Sequence, residues 1–225
     1  MALYDSGLHL LIDDMDLFQV YRVRRVMGEL ERAPAPVLES DMEWEKGRLC
    51  QMWGSVLYDE KLEKFRAWYL SYNNNEKDQY LKTVLAYAES EDGVKWTKLP
   101  LGIYSFKGDK NNNIVMMFDP SLPVTAMDGG MILDERDLYP EAGFTFVGFL
   151  HDERMWARHP GAYIPEITDK EVEAAKKAST HYLIRSGDGI HWDMKGMERL
   201  TDQEGLIWSG RDILDRKSTR LNSSH

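Results

Sequence analysis

A short segment, Ser90-Glu91-Asp92-Gly93-Val94-Lys95-Trp96, recurs 96 residues further on as Ser186-Gly187-Asp188-Gly189-Ile190-His191-Trp192. Four positions of the pattern S-x-D-G-(V/I)-x-W are identical and a fifth is β-branched in both copies. The chain is therefore built from a repeated unit, and its architecture follows from how such units stack. An Asp-Gly pair favours a tight hairpin, because Gly accepts positive φ and the Asp side chain bonds nearby backbone amides. The tryptophan that follows is read as the start of a fourth strand.

The flanks repeat as well. Before the first copy, residues 54–59, 64–72 and 83–88 read as strands, and before the second, residues 123–128, 143–149 and 179–185 do. Each unit is strand, hairpin, strand, strand, turn, tryptophan. Sheets of this kind, aromatic-rich and joined by short turns, must stack against copies of themselves to bury both faces. The expected fold class is all-β, a partial β-propeller of two to three blades. Residues 1–215 form this domain, with blades at about 50–120 and 121–200. The second blade carries one inserted helix over residues 169–178, rich in helix formers and acidic at its start. Residues 1–45 read as part strand and part polar link, with Ala33-Pro34-Ala35-Pro36 extended, and residues 203–215 as the first strand of a further blade.

Charge and hydropathy narrow the partners. With 38 acidic against 28 basic residues the net charge is −10, so a phosphate backbone would meet long-range repulsion and nucleic acid is not an expected partner. No run approaches the roughly 20 apolar residues of a membrane-spanning helix, so no membrane partner is expected. The N-terminal apolar run, Leu8 to Ile12, is short and broken by His9, so no export signal is visible: a soluble protein is expected, cytoplasmic or exported with its signal lost. Cys50 is the lone cysteine, which excludes an internal disulfide and a multi-thiolate zinc site. Nucleotide-binding, zincin and serine-hydrolase motifs are missing, the histidines lack metal-ligand spacing, and no cofactor or metal is expected. The pair His151 and His159 is read as loop. Residues 216–225, RKSTRLNSSH, resemble a translated sequencing adapter and are read as a non-native tail, so the sequon at Asn222 is set aside and the natural C-terminus is expected to be missing. The oligomeric state is left open.

Trp44-Glu45, residues 54–59, Phe65-Arg66-Ala67-Trp68-Tyr69, Tyr87 through Trp96, Leu101-Gly102 and Asn112-Asn113-Ile114 together resemble the five-bladed β-propeller glycoside hydrolases, bacterial relatives of families 32 and 43, over roughly residues 10–215. The resemblance implies hydrolysis of a glycosidic bond in an oligo- or polysaccharide by carboxylates that project from the innermost strands into a central funnel. The invertase-type Asp-Pro-Asn-Gly, Arg-Asp-Pro and Glu-Cys signatures are not present as such; Asp119-Pro120 follows Phe118 rather than arginine.

On this reading the first strand of each unit is innermost, and carboxylates at or before it are the catalytic candidates: Asp119 ahead of 123–128, Glu45 ahead of 54–59, Asp13 and Asp14 after the N-terminal apolar run, and Asp212 in the further blade. Against these stand a turn aspartate before proline for Asp119, an exposed loop charge for Glu45, and calcium binding for Asp13, Asp14 and Asp16, which lack an EF-hand's Gly and distal Glu. Asp59 and Asp128 are read as turn caps at strand ends, and Asp92 and Asp188 as structural. Trp44, Trp53 and Trp208 are candidate sugar-stacking rings, Arg211 a candidate substrate contact, and Asn112 and Asn113 candidate amide donors from a polar loop. Trp68, Trp96 and Trp192 are assigned to the blade core. The rival to an enzyme is a non-catalytic carbohydrate-binding or scaffold propeller, and the 225-residue chain is expected to be inactive because an open ring leaves blade edges unprotected.

Overall fold

The computed structural model describes residues 21–22, 26, 28–29, 34–46, 49–73, 76–136 and 142–200, without the side chains of 49–53. The chain divides into two compact units, residues 1–35 and 36–225, and both sheets described below belong to the second.

Among the described residues the protein is all-β with one α-helix: two four-stranded antiparallel meanders. The first is β1 (Leu49–Asp59), β2 (Lys64–Tyr72), β3 (Thr83–Ser90) and β4 (Ile114–Met117) in sequence order. The second is β5 (Ala126–Asp134), β6 (Phe144–His151), β7 (Thr180–Ser186) and β8 (Glu198–Arg199), again in sequence order. The first strands β1 and β5 lie side by side, so the sheets stack as neighbouring blades of a propeller with their opening strands innermost. The central strands are hydrophobic almost throughout because both of their faces are covered: Ala67 to Ser71 and Thr83 to Ala88 are buried without interruption.

One core joins the blades. Trp68, Leu70, Leu85 and Tyr87 of the first pack on Phe144, Phe146, Tyr182 and Ile184 of the second. Polar contacts fix the register of that packing. The Trp68 Nε1–H donates to the Gly189 carbonyl at 2.7 Å, Arg66 Nη2 to the Asp188 carbonyl at 2.6 Å, and the Ile132 amide to Ser55 Oγ at 2.8 Å. Buried Asp59 accepts from Arg66 of its own blade at 3.1 Å and from Arg136 of the next at 3.0 Å. Burial pushes its carboxyl up, and the two guanidiniums more than reverse this, leaving it below the ordinary range.

Both Asp-Gly turns fold alike. Ser90 Oγ and Asp92 Oδ1 take the amides of Gly93, Val94 and Lys95, and Ser186 Oγ and Asp188 Oδ1 take those of Gly189, Ile190 and His191. The tryptophan, however, does not open a fourth strand. Trp192 makes a single bridge to Ser186, and in the first blade Thr97 bridges Glu89, after which the chain loops out before β4 or β8. Each turn uses its residues on side-chain-to-backbone bonds, and the ladder resumes only where an apolar run such as Ile114–Met117 returns to β3. The inserted helix, α1 (Asp169–Ala178), starts at a capping box in which the Thr168 amide donates to Glu171 Oε2 at 2.8 Å and the Glu171 amide to Thr168 Oγ1 at 3.3 Å.

Candidate active site

Both innermost strands carry a β-bulge near their starts. On β1 residues 52–54 oppose Tyr69 alone, and on β5 Asp128 and Gly129 oppose Phe149. A bulge redirects side chains and commonly sits beside active sites. At position 54 only glycine fits, since a Cβ there would lie 1.9 Å from the Trp68 carbonyl oxygen. On β5 the bulge holds Asp128 half-exposed inside the strand, with Gly129 at φ 111°. Asp128 therefore lies inside a strand and is not the turn cap at a strand end that the sequence reading assigned to it.

Four more groups gather at this end of the sheets, where β5 begins and β2 and β6 finish. Tyr72 closes β2, Lys82 precedes β3, His151 closes β6, and Glu153 lies in the 3-10 turn Glu153–Trp156. Glu153 is the hub: the Tyr72 hydroxyl donates to its Oε1 at 3.4 Å, His151 Nε2 lies 3.6 Å from that oxygen, and Lys82 Nζ lies 3.8 Å from Oε2. Burial pushes the Tyr72 phenol up to about 12, and the charges of Glu153 and Asp128 add to it, so it remains a neutral donor. Burial also pushes the Glu153 carboxyl up, but His151 and Lys82 outweigh it and hold the group ionised. His151 is buried, with Nδ1 unpartnered, and its ring lies 6.4 Å from the half-buried Trp156. It is strand and core, not loop. The cluster thus offers an ionised carboxylate, a second carboxylate on a bulged inner strand, a neutral hydroxyl and a cation at the seam of two blades.

Of the sequence candidates, Glu45 and Asn113 converge elsewhere, on the Tyr69 hydroxyl. Glu45, in the 3-10 turn Glu43–Glu45 before β1, has no exposed surface and is not the exposed loop charge weighed for it. Its Oε1 accepts from the Tyr69 hydroxyl at 2.6 Å; its Oε2 accepts from Lys98 Nζ at 2.6 Å and from the amides of Asp41 and Met42, each at 3.0 Å. Tyr69 in turn accepts from Asn113 Nδ2 at 2.7 Å. Trp44 is buried against Phe106, Val84 and Ile114. Asn112 and Asn113, read as amide donors from a polar loop, are buried as well, with their amides turned inward: Asn112 Nδ2 donates to the carbonyls of Tyr104 and Asp109, and Asn113 Nδ2 also donates to that of Tyr87. Their amides close the loop before β4 onto the sheet, a long-range role that a run of asparagines does not reveal. Asp119 is exposed, and its Oδ1 accepts the Ser121 amide at 2.7 Å. Trp53 lies in the β1 bulge, its side chain outside the described part. Asp13, Asp14, Trp208, Arg211 and Asp212 lie outside the described residues.

No family model matches the chain, and no curated protein does. One solved structure similar to it is a mutant Bombyx mori glycoside hydrolase family 32 β-fructofuranosidase in complex with sucrose, with a TM-score of 0.38 and 14% identity over 66% of this chain. The likeness spans 24% of that enzyme's length.

Sequence reasoning passed over Tyr72, Lys82, Glu153 and Trp156 and assigned Asp128 and His151 to other duties. One signal pointed to the site: the Gly129-Gly130 pair inside a strand pattern marks a bulge, and Asp128 adjoins it.

Proposed function

We propose that this chain is two blades of a propeller glycoside hydrolase-like protein that handles an oligo- or polysaccharide at the mouth end of its innermost strands. The observation that carries the reading is the seam cluster: Asp128 on the bulged β5 and Glu153 act on one phenol, Tyr72, from the second blade while Tyr72 and Lys82 come from the first. Sugar chemistry uses such sets, with an ionised carboxylate to stabilise or attack the anomeric carbon and neutral donors for ring hydroxyls. Trp156, half-buried beside His151, gives an apolar ring face to a pyranose. In this reading the further carboxylates are Asp13, Asp14, Asp119 and Asp212, five blades complete the ring, and Glu45 holds Tyr69 and Asn113 in place.

One feature favours the alternative, a non-catalytic carbohydrate-binding propeller. Among the described carboxyls displaced from their ordinary values, Asp119 and Glu153 included, the direction is downward, whereas a general acid needs a raised pKa. Titrating the 225-residue chain with a panel of neutral oligosaccharides by calorimetry, while following reducing-end release, separates the cases. Binding of at least one oligosaccharide is expected, weakened about tenfold by Asp128→Asn and by Glu153→Gln with thermal unfolding little changed. Absence of binding, or binding indifferent to both substitutions, removes the reading. Reducing-end release that both substitutions abolish selects the enzyme; because the open ring is expected to be inactive, binding without release selects the binder only when it is also found in the ring completed by its remaining blades.

A further inference from the structure

The two blades differ in the connection that follows their second strand. Residues 73–82 join β2 to β3 by a short loop, whereas residues 152–179 join β6 to β7 through the 3-10 turn Glu153–Trp156, a loop and α1. Long connections in compact domains are uncommon and commonly carry function. This one leaves from the end of the sheet at which Tyr72, Lys82 and Glu153 meet, not from the faces on which blades stack.

The loop, residues 157–167, is closed by contacts of its own. The Ile164 amide donates to the carbonyl of fully buried Ala157 at 2.9 Å. Arg158 ties the rest together: its Nη1 donates to the Ile164 carbonyl at 3.0 Å, its Nη2 to the Ile167 carbonyl, and its Nε to Asp169 Oδ1 at 3.0 Å. Since α1 also packs on the 3-10 turn, the shape of the loop is set inside the insertion and does not await a neighbouring blade. A loop ordered in advance pays little to bind.

What it presents is aromatic. From His151 in the seam cluster an edge contact at 6.4 Å leads to Trp156, and one at 6.2 Å leads from Trp156 to exposed His159. His159 Nδ1 accepts the Gly161 amide at 3.3 Å, which puts the proton of the neutral ring on Nε2, a donor for a hydroxyl. The turn from His159 to Ala162, closed by a backbone bond of 2.9 Å, brings Tyr163 back over Arg158, whose guanidinium lies 5.8 Å from its ring. Tyr163 is 63% exposed. Arg158 is the only Lys or Arg of residues 157–167, and Asp169 at 2.8 Å answers its charge. The loop thus offers ring faces and neutral donors without an unpaired cation for an acidic sugar.

We propose that Trp156, His159 and Tyr163 form a second sugar subsite continuous with the seam cluster, so that the chain holds a neutral oligosaccharide along several units and not a single ring. The proposal rests on the reading of the seam as a carbohydrate site. Its path begins at Trp156, the ring face assigned there to a pyranose, and continues onto Tyr163 without crossing a charged group that lacks a partner. Trp and Tyr supply large amphipathic contact area at low entropic cost, with the ring stacking on the apolar face of a sugar and the polar tip bonding its hydroxyls.

Calorimetric titration of the 225-residue chain with neutral gluco-, manno-, xylo- and fructo-oligosaccharides, each from the single sugar to about five units, tests this. In a series that binds, affinity is expected to rise about tenfold or more with length. Tyr163→Ala lowers it about fivefold for the longer members, the loss growing with chain length, and Tyr163→Phe restores most of it. Asp128→Asn weakens all lengths alike, and Val94→Ala, at a 58% exposed site in the first Asp-Gly turn, changes none. Circular dichroism reports the fold of each variant. Affinity that does not rise with length, or longer members indifferent to Tyr163→Ala while Asp128→Asn still weakens binding, overturns the second subsite and leaves the seam reading standing. A Tyr163→Ala variant that shifts sedimentation instead of sugar affinity assigns the ring to a protein contact and overturns it too. Absence of binding in every series removes the seam reading and this proposal with it.

Discussion

The two Asp-Gly turns share sequence and local bonds but differ in what reaches them. At the second, the Gly189 carbonyl accepts from Trp68 of the first blade and the Asp188 carbonyl from Arg66. At the first, the Gly93 carbonyl accepts from its own Trp96 at 3.1 Å. Trp192, the counterpart of Trp96, is buried with its Nε1 unpartnered, while the Gly189 carbonyl, the counterpart of the one that Trp96 uses, accepts from Trp68. The motif thus encodes a turn, and β2 of the preceding blade decides whether that turn becomes an interface. Arg66 makes the decision costly to reverse: buried, it lies 4.9 Å from the Trp68 ring and 4.8 Å from that of Phe144, so its charge is spread over aromatic faces as well as Asp59.

The largest contrast is expected between the two tryptophans. Trp68→Ala removes a fully buried ring from between the blades and is expected to destabilise the chain by about 3–5 kcal/mol in urea unfolding. Trp96→Ala, at a half-buried ring bonded only to its own turn, is expected to cost about 1 kcal/mol. Equal losses would mean that the blades do not depend on each other as described.

A smaller contrast separates the glycines. Both have positive φ, 71° at Gly93 and 76° at Gly189, so alanine costs about 1–2 kcal/mol at either for backbone strain. A Cβ on Gly189 would also lie 2.8 Å from Trp68 Cζ2 and 3.0 Å from Arg66 Nη2, whereas one on Gly93 meets only the Phe65 ring at 3.6 Å. Gly189→Ala is expected to be the worse by roughly 1 kcal/mol in thermal or urea unfolding. A Gly93→Ala variant as damaged as Gly189→Ala would place the difference outside the interface.

The repeat made much of the fold legible before any coordinates. Its offset located both sheets, the strand runs around Lys64–Tyr72 and Thr83–Ser90 fell where alternation and aromatic content put them, and the helix Asp169–Ala178 was bounded by helix formers. The fourth strands were misread because Trp96 and Trp192 look like strand residues locally, while pairing there stops at a single bridge, Thr97 to Glu89 in the first blade and Trp192 to Ser186 in the second. The candidate site was less legible. Glu153 and Trp156 lie in an insertion with no repeat counterpart, and Tyr72 and Lys82 acquire meaning only once a second blade sets Glu153 beside them. Burial of Glu45, Asn112 and Asn113 likewise depends on contacts such as Tyr69 to Glu45 across 24 residues, which composition cannot disclose.

Native-state hydrogen exchange on the wild type and Trp68→Ala tests the stacking of the blades most directly. With the sheets packed face to face through Trp68, the substitution lowers amide protection in β6 and β7 together with β2 and β3, and both sheets open in one step. Full protection retained in β6 and β7 while β2 and β3 lose theirs would contradict it.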